Sequence, residues 1–470
     1  MVSTAATAAS NLTDEAIQQF AGSIRGGVIR PGDPNYDEAR KIYNAMIDKR
    51  PALIARCTDA GDVIAAVNFA RENDLLVAIR GGGHNGPGLG TCDDGLVIDL
   101  SGIKYVRVDP VARTARVGGG ALLGDVDHAT RAFGFVIPSG IISTTGVGGI
   151  TLGGGVGHLT RTFGLSIDNL LEADVVLADG SFVTASKDQN ADLFWALRGG
   201  GGNFGVVTSF LFRLNSLGDV YAGPMLWDID KATEVLKWYR DFIVNAPDEV
   251  NGWFAFLTVP PVAPFPEHLQ GKKMCGVVWC YAGPQADGEA ALAPARAAFG
   301  TPALDWVGPM PYSALNSMFD GIYPAGHQWY WKADFFNELS DEAIARHVEF
   351  GNALPTIPST MHLYPINGAA GRVGNDETAW AYRDANWAQV MVGVSPDPAD
   401  NANMIAWAKA YWEALHPHSA GGAYVNMMME EGADRVRASY GENYTKLATV
   451  KAKYDPNNLF RVNQNIKPAS

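Results

Sequence analysis

Four glycine-rich stretches constrain the fold of this chain more than any other feature of its sequence. They are RGGGHNGPG (80–88), VGGGALLGD (117–125), PSGIISTTGVGGITLGGGVGHLTRTFGLSIDN (138–169) and LRGGGGNFGVVT (197–208). Glycine costs conformational entropy on folding, so repeated glycines indicate places where the backbone must be bare. Free backbone N–H groups suit the phosphates of a dinucleotide. Together the four stretches predict one phosphate-binding cradle, and a histidine, His84, is embedded in the first of them.

Two common nucleotide-binding motifs compete with this interpretation and fit the sequence poorly. GVGGITLGGG begins like a Rossmann fingerprint, but it is not set in a convincing strand–helix–strand unit with an acidic residue about 20 positions further on. A GxxxxGK sequence followed by Ser or Thr is absent, which excludes a P-loop. For His84 itself the alternative is an ordinary loop histidine in a tight hairpin, without a role in binding.

Length and charge limit the remaining classes of function. A chain of 470 residues exceeds one ordinary core, so two domains are expected. Its 47% hydrophobic and 18% charged residues describe a globular protein rather than a disordered one. The formal net charge of −14 argues against nucleic acid or an anionic membrane surface as partner, because both require a basic patch. A small-molecule partner is therefore expected.

Cysteine usage and apolar segments add further expectations. The four cysteines, Cys57, Cys92, Cys275 and Cys280, form no CxxC pair and are predicted to be buried free thiols. Neither they nor the nine histidines have the spacing of a metal site, so no metal is predicted. The N-terminal sequence lacks the regions typical of a signal peptide, and no stretch of about 18 apolar residues predicts a membrane span. A cytoplasmic protein is expected, and its oligomeric state stays open.

The character of the sequence changes near Leu214. Before it, short strand patterns alternate with helical ones; from 215 to 430 the glycine clusters thin out, tryptophans gather and a broad antiparallel sheet is predicted. Helices are expected to cover one face of this sheet, which leaves the other face free to wall a cavity. The predicted fold class is α+β. The clearest patterns are AGDVIAAVNFAREND (60–74), LLVAIR (75–80), KMCGVVWCYAG (273–283), QWYWKADFF (328–336) and the helical segments 341–354 and 399–416.

Four motifs, in chain order, resemble those of one known family: RGGGHN, GVGGITLGGGVGHLTRTFGLSIDN, ALRGGGGNFGVVTSF and YDPNNLFRVNQNI. They are similar to the motifs of FAD-linked oxidases of the vanillyl-alcohol-oxidase superfamily, in particular its berberine-bridge-enzyme-like branch. The resemblance runs over nearly the whole chain. It implies a two-lobed fold, in which residues 1–214, completed by 431–470, form a PCMH-type FAD-binding domain. Residues 215–430 would form a substrate-binding domain that roofs the flavin.

The same resemblance implies that FAD is the cofactor and that it is covalently bound. In the family the histidine after the glycines is bonded to the C8-methyl group of the isoalloxazine ring, and His84 stands at that position. Many relatives carry a second link through a cysteine four residues before GVGG; Ile142 stands there, so no cysteinyl link is expected, and Cys92 is interpreted as a spectator. The motifs assign to the cofactor Arg80, Gly81, Gly82, Gly83, His84, Asn85, Gly88, Ser139, Gly140, Thr144, Thr145, Gly146, Gly148, Gly149, Gly153, Gly154, His158, Val207, Asn463 and Asn465.

The ionisable groups that often serve as bases in the family are missing from this chain. Ile150 and Val156 stand where relatives often have His and Tyr, and Met427 stands where an active-site Tyr is common. The segment NGAAG (367–371) also lacks the ionisable residue that some relatives have there. The enzyme would therefore use a different base or none.

Three residues of the predicted substrate domain are candidates for the missing base. Tyr424 is suited to bind or deprotonate a substrate hydroxyl, and the alternative is a strand tyrosine packed in the sheet. His362 and Tyr364 alternate on one face of a predicted strand, MHLYPI, with structural roles as the alternative. Lys332 and Arg383 match family positions and are interpreted as ion-pair partners. The aromatic run Trp329, Tyr330 and Trp331 either lines a pocket or fills the sheet, and core packing is expected.

The predicted function is that of an FAD-dependent oxidoreductase that transfers a hydride from a C–H of a small-molecule alcohol, sugar or amine to flavin N5. Reoxidation by O2, which gives H2O2, would make it an oxidase. Three alternatives stay open: a dehydrogenase with another acceptor, a redox-neutral cyclase or isomerase of the same fold, and a flavin-binding protein without turnover. The sequence does not indicate which substrate is used.

Overall fold

The computed structural model describes residues 12–470. The expectation that no signal peptide is present rests largely on residues 1–11, which lie outside the described residues. Within residues 12–470, no helix combines the length and the apolar character needed to cross a membrane.

The N-terminal part contains two main sheets with helices packed around them. Its strands are β1 (Gly27–Ile29), β2 (Leu53–Arg56), β3 (Val77–Arg80), β4 (Leu96–Asp99), β5 (Val106–Asp109), β6 (Thr114–Gly118), β7 (Phe135–Val136), β8 (Leu170–Val176), β9 (Phe182–Ser186), β10 (Val206–Arg213) and β11 (Asn215–Ser216). Its helices are α1 (Asp14–Ser23), α2 (Tyr36–Ala39), α3 (Ala60–Glu72), α4 (Leu123–Arg131), α5 (Val147–Gly153), α6 (Thr160–Phe163) and α7 (Ala191–Leu197).

The first of these sheets has the strand order β1-β2-β4-β3 and is parallel except for β1. Its central strand β4 is buried along its whole length, as expected for a parallel strand covered on both faces. Helix α3 connects β2 to β3 and begins where the Asp59 carboxylate accepts the Asp62 N–H at 3.0 Å. The second sheet, β5-β6-β10-β8-β9, is antiparallel. Both sheets present the glycine-rich connections to the same side, where the cavity described below lies.

An eight-stranded antiparallel sheet dominates the second part of the chain. Its path is β15-β12-β14-β13-β18-β19-β17, and β16 also pairs with β12. These strands are β12 (Val220–Asp228), β13 (Val250–Thr258), β14 (Lys273–Tyr281), β15 (Leu304–Asp305), β16 (Gly308–Met310), β17 (Gln328–Phe336), β18 (Thr360–Pro365) and β19 (Trp387–Ser395). The helices of this part are α8 (Ala232–Asn245), α9 (Gly288–Ala298), α10 (Tyr312–Ser317), α11 (Asp341–Asn352) and α12 (Asn401–Leu415).

The two faces of this sheet pack differently, as side chains alternate along its strands. On β13 and β18, Phe254, Phe256, Met361 and Leu363 belong to a core shared with helices α8, α9, α11 and α12. The alternate residues, such as Trp253, face the glycine-rich part of the chain. The prediction of an α+β fold with a broad antiparallel sheet covered by helices on one face is confirmed.

The last segment, with α13 (Ala433–Tyr440) and α14 (Tyr444–Tyr454), returns to the N-terminal part. A fully buried lysine, Lys451, anchors it. The Lys451 ammonium donates to the backbone oxygens of Asn203 at 2.6 Å and Phe460 at 2.9 Å, and it pairs with the Asp455 carboxylate at 2.6 Å. This buried charge is therefore fully hydrogen-bonded, as a buried charge must be. The predicted domain division at residues 214 and 430 stays a prediction.

Candidate active site

A cavity of about 350 Å³ lies between the glycine-rich stretches and the free face of the eight-stranded sheet. All four glycine-rich stretches contribute to its floor, which includes Gly81, Gly82, Gly83, Gly119, Gly146, Gly148, Gly149, Gly201 and Gly202. Its roof consists of Tyr323, Trp329, Trp331, Thr360, His362, Tyr364, Val390 and Val392. Its remaining wall comes from the C-terminal segment, with Tyr424, Val425, Asn426, Met427, Tyr440, Phe460, Val462, Asn463 and Gln464.

The floor is built from backbone that has no room for side chains. A Cβ atom on Gly82 would overlap the backbone of Gly146, and a Cβ on Gly146 would overlap the backbone of Gly82. Gly83 has a φ of +71°, a left-handed conformation that favours glycine. The first and third glycine-rich stretches thus touch backbone to backbone at the cavity. This bare surface fits the pyrophosphate of a dinucleotide such as FAD.

His84 stands at the end of this floor and is held on two sides. Its Nε2 lies 3.0 Å from Thr144 Oγ1. The ring of Tyr43 stacks on the imidazole, with ring centroids 3.9 Å apart and 21° between the planes. Burial lowers the pKa of His84 to about 4, so the imidazole is neutral at physiological pH. A neutral, immobilised imidazole that lines the cavity is suited to act as a nucleophile or a ligand.

The structure brings most of the predicted cofactor residues to the cavity. Those that line it are Arg80, Gly81, Gly82, Gly83, His84, Asn85, Gly140, Thr145, Gly146, Gly148, Gly149, Val207 and Asn463. Thr144 contacts the site through His84. The others, Gly88, Ser139, Gly153, Gly154, His158 and Asn465, are not part of the cavity lining.

Several of these other residues have packing roles that the motif alone does not reveal. A Cβ on Gly153 would overlap the Asn426 side chain, and one on Gly154 would overlap the Trp380 ring. His158 is 1% exposed and its Nδ1 accepts a hydrogen bond from Trp253 Nε1 at 3.3 Å. Burial lowers the pKa of His158 to about 3. These residues shape the loop behind the floor.

His362 and Tyr364 both reach the cavity from strand β18. The His362 Nδ1 lies 2.7 Å from the Tyr364 hydroxyl oxygen, and the Trp253 ring packs against the imidazole at a centroid distance of 4.4 Å. Burial lowers the pKa of His362 to about 3 and raises that of Tyr364 well above its ordinary value. Both side chains are therefore neutral at physiological pH. The second ring nitrogen, Nε2, makes no hydrogen bond within residues 12–470.

Tyr424 also lines the cavity, but its hydroxyl is committed to other groups of the protein. It accepts the Gly155 N–H at 2.9 Å and the Asn426 Nδ2–H at 2.8 Å. Burial raises the pKa of Tyr424 to about 12. Tyr424 does not lie in a strand, as the alternative interpretation had it, because it precedes a short 3-10 turn, Val425–Met427. The geometry favours a packed structural role for this residue over that of a base.

The aromatic run of β17 has a double role. Trp329 and Trp331 line the cavity, and the Trp329 side chain is also part of the core. The expectation of core packing alone is therefore incomplete. Lys332, on the opposite face, pairs with Glu431 at 2.7 Å, and Arg383 pairs with Asp168 at 2.7 and 2.9 Å. These two contacts agree with the interpretation of both cations as ion-pair partners.

Sequence reasoning missed two residues near His84. Tyr43 stacks on the imidazole, and Tyr323 lines the roof. Both lie in loops, outside any motif, and the Tyr43 hydroxyl donates to the Tyr323 backbone oxygen at 2.6 Å across 280 positions of sequence. No pattern within either loop signals this contact.

The walls of the cavity carry almost no charge. Among the lining residues, the one permanently charged side chain is that of Arg80, and it is neutralised by Asp99 at 2.9 Å. The roof offers hydroxyl and imidazole groups between aromatic and β-branched side chains. Such a wall binds a neutral molecule by apolar contact and a few hydrogen bonds.

Comparison with known proteins shows similarity along the whole chain. A family model described as FAD binding domain matches residues 51–186, and one described as berberine and berberine like matches residues 423–467. The chain is 32% identical over 457 residues to an FAD-linked oxidoreductase of Dictyostelium discoideum, with 97% of each chain covered. It is 32% identical over 465 residues to (R)-6-hydroxynicotine oxidase of Paenarthrobacter nicotinovorans, covering 95% of this chain and 97% of that one. The crystal structure of 6-hydroxy-D-nicotine oxidase from Arthrobacter nicotinovorans superposes with a TM-score of 0.85 at 29% identity, covering 95% and 99%.

Proposed function

Because the chain belongs to the FAD-linked oxidoreductases of the berberine-bridge-enzyme-like family, we propose that it oxidises a neutral small molecule at a carbon that bears a hydroxyl or amine group. The observation that carries this proposal is the uncharged aromatic roof, in which His362 and Tyr364 face a bare glycine floor. FAD, when bound, supplies the hydride acceptor. The protein supplies orientation, a proton acceptor and the exclusion of water.

His84 is proposed as the covalent attachment point of the cofactor. Support comes from its position at the end of the glycine floor, from its neutral state and from the two contacts that fix its ring. Ile142 also lines the cavity, at the position where relatives with a second link have cysteine. Its hydrocarbon side chain has no group that can form such a link, so a single attachment is proposed.

His362 is proposed as the base that accepts the substrate proton. In the required tautomer, Nδ1–H donates to the Tyr364 hydroxyl oxygen and Nε2 presents its lone pair to the cavity. The substrate hydroxyl or amine gives its proton to Nε2, while both electrons of the C–H bond leave with the hydride. The oxidised carbon is then a carbonyl or an imine. Tyr364 holds the imidazole in the orientation that this transfer needs.

The cavity walls favour a neutral substrate over a charged one. A carboxylate or an ammonium group enclosed under this roof would lose its hydration without gaining an ionic partner, which is unfavourable. An alcohol, a sugar or an amine in its neutral form avoids that cost. The aromatic side chains of Trp329, Trp331 and Tyr323 give such a molecule an apolar surface to pack on.

Dioxygen is proposed as the final electron acceptor, with hydrogen peroxide as product. The test begins with an anaerobic panel of neutral alcohols, sugars and amines, in which a true substrate bleaches the flavin band near 450 nm, where oxidised flavins absorb. Peroxide formation in air then identifies an oxidase, and bleaching without peroxide identifies a dehydrogenase. Conversion of a substrate without any bleaching would support a redox-neutral enzyme instead. A panel that never bleaches the flavin contradicts the proposal.

The attachment has a separate test. Acid-precipitated protein is expected to stay yellow, and His84→Ala is expected to release its flavin into the supernatant. A colourless pellet from the wild-type protein would contradict the covalent link. A flavin–peptide adduct on any cysteine, found by mass spectrometry after proteolysis, would contradict the single attachment.

A further inference from the structure

The loop that connects α2 to β2 contributes Tyr43 to the cavity wall, and the next residue, Asn44, is buried behind it. Tyr43 donates its backbone N–H to the Gly83 oxygen at 3.1 Å, directly before His84, and its ring covers one face of the imidazole. The Tyr43 ring also lies 5.0 Å from that of Trp329, centroid to centroid. This loop therefore sits between the glycine floor and the aromatic roof.

Asn44 is fully buried and connects the two sides directly. Its Nδ2 donates to the Gly86 oxygen at 2.7 Å and to the Trp329 oxygen at 2.9 Å. Its Oδ1 accepts the Trp329 N–H and the Met46 N–H, both at 3.0 Å. An asparagine amide has two N–H donors and an oxygen with two lone pairs, so its full hydrogen-bonding capacity is used here.

The backbone around Asn44 extends this connection. The Gly326 N–H donates to the Tyr43 oxygen at 3.0 Å, and the Ala45 N–H donates to the His327 oxygen at 2.9 Å. These bonds pair the loop with the residues that lead into β17. A single buried side chain and two backbone hydrogen bonds thus fix the roof at a set position relative to the RGGGHNG segment.

We propose that Asn44 and Tyr43 are positioning residues for the cofactor. Asn44 fixes the loop between roof and floor, and Tyr43 transmits that position to His84 by stacking. Together with Thr144 at Nε2, the stacking leaves the imidazole a single orientation. Attachment of a cofactor to a side chain depends steeply on such orientation, since small displacements of a reacting group slow a reaction by large factors.

This inference rests on the proposed covalent attachment at His84, and its test separates the two. Purified holoenzyme of each variant is assayed for total flavin per protein and for the fraction that stays with acid-precipitated protein. Asn44→Ala and Tyr43→Leu are expected to bind FAD, but the acid-stable fraction of that flavin should be about tenfold or more below the wild-type fraction. Tyr43→Phe keeps the stacking ring and is expected to stay close to wild type.

The matched control is Asn251→Ala, which removes another buried and hydrogen-bonded asparagine, away from the cavity. It is expected to leave the acid-stable fraction unchanged, so a general loss of stability is distinguished from a loss of positioning. If Asn44→Ala fails to fold, Tyr43→Leu decides the question, because it removes the stacking and leaves every partner of Asn44 satisfied.

Three outcomes contradict the inference, and each is seen in a different protein or pair of variants. If both Asn44→Ala and Tyr43→Leu retain the acid-stable flavin fraction of the wild type, the positioning role is contradicted while the attachment at His84 stands. Absence of acid-stable flavin from the wild-type protein itself contradicts the attachment, and the positioning role falls with it. A loss in Tyr43→Phe as large as in Tyr43→Leu would also contradict the role of stacking.

Discussion

The floor and the roof of the cavity are built by opposite means. The floor uses backbone that glycine leaves bare, whereas the roof uses large side chains that project from three neighbouring strands. A change in the floor should therefore affect whether FAD is held, and a change in the roof should affect what is done with it. Under the proposed function, cofactor binding and substrate specificity would then depend on different residues and could vary independently.

The largest expected effect is in the roof, at His362. His362→Ala removes the proposed base and should slow flavin reduction by substrate about 100-fold or more, the usual contribution of such a group. Flavin content should stay at the wild-type level, because the floor is untouched. Anaerobic stopped-flow absorbance measures the rate, and Tyr424→Phe, which alters a hydroxyl already bonded to the protein, serves for comparison. An unchanged rate in His362→Ala would exclude it as the base.

The next effect is in the floor, at Gly82. Gly82→Ala places a methyl group against the Gly146 backbone and should destabilise the protein by about 1–3 kcal/mol, as overpacking usually does. The amount of bound flavin, measured as flavin absorbance per protein, should fall together with this stability. Gly22→Ala is the control, because a Cβ there meets no atom within 4 Å. If Gly82→Ala retains full flavin content, close backbone contact is not what the floor requires.

A smaller effect is expected at the junction between the two parts, where Asn316 of α10 donates to the Asp127 carboxylate of α4 at 2.6 Å. Burial raises the pKa of Asp127 to about 7. The folded state thus holds a proton that the unfolded chain releases near pH 4, so stability falls as pH rises from about 4 to about 7 and is level above that. Asp127→Asn should remove this dependence and be more stable by about 1 kcal/mol or more at pH 8. Melting temperatures of both proteins, measured across this pH range, test the prediction. Parallel plots of melting temperature against pH would contradict it.

The smallest effect is expected for Cys92→Ala, which should not change cofactor attachment at all. Cys92 is a buried free thiol that does not line the cavity, and burial raises its pKa to about 12, which makes it unreactive. Acid-stable flavin should equal that of the wild type. A loss of acid-stable flavin would show that the attachment does not depend on His84 alone.

The sequence predicted the floor better than the roof for a physical reason. Contacts such as that between Gly82 and Gly146 forbid side chains, and this requirement is visible locally as glycine. On β18, the alternation of His362 and Tyr364 predicted that they share a face. Which face meets the cavity depends on the packing of helices from distant parts of the chain.

The residues that escaped prediction owe their roles to contacts between distant segments. Asn44 bonds to Trp329 across 285 positions, and nothing in the sequence around either residue indicates a partner. His158 shows the converse, since its motif predicted a place at the cofactor while the structure packs its imidazole against Trp253. A motif specifies the backbone path of a loop more reliably than the direction of each side chain on it.

The return of the C-terminal segment to the N-terminal part has a consequence for biosynthesis. Phe460, Val462, Asn463 and Gln464 complete the cavity wall, and Lys451 holds them beside the Asn203 loop. Because the ribosome makes these residues after every other part of the wall, a nascent chain lacks a finished binding site until they emerge. The complete wall of the cavity therefore forms only once residues 460–464 have been synthesised.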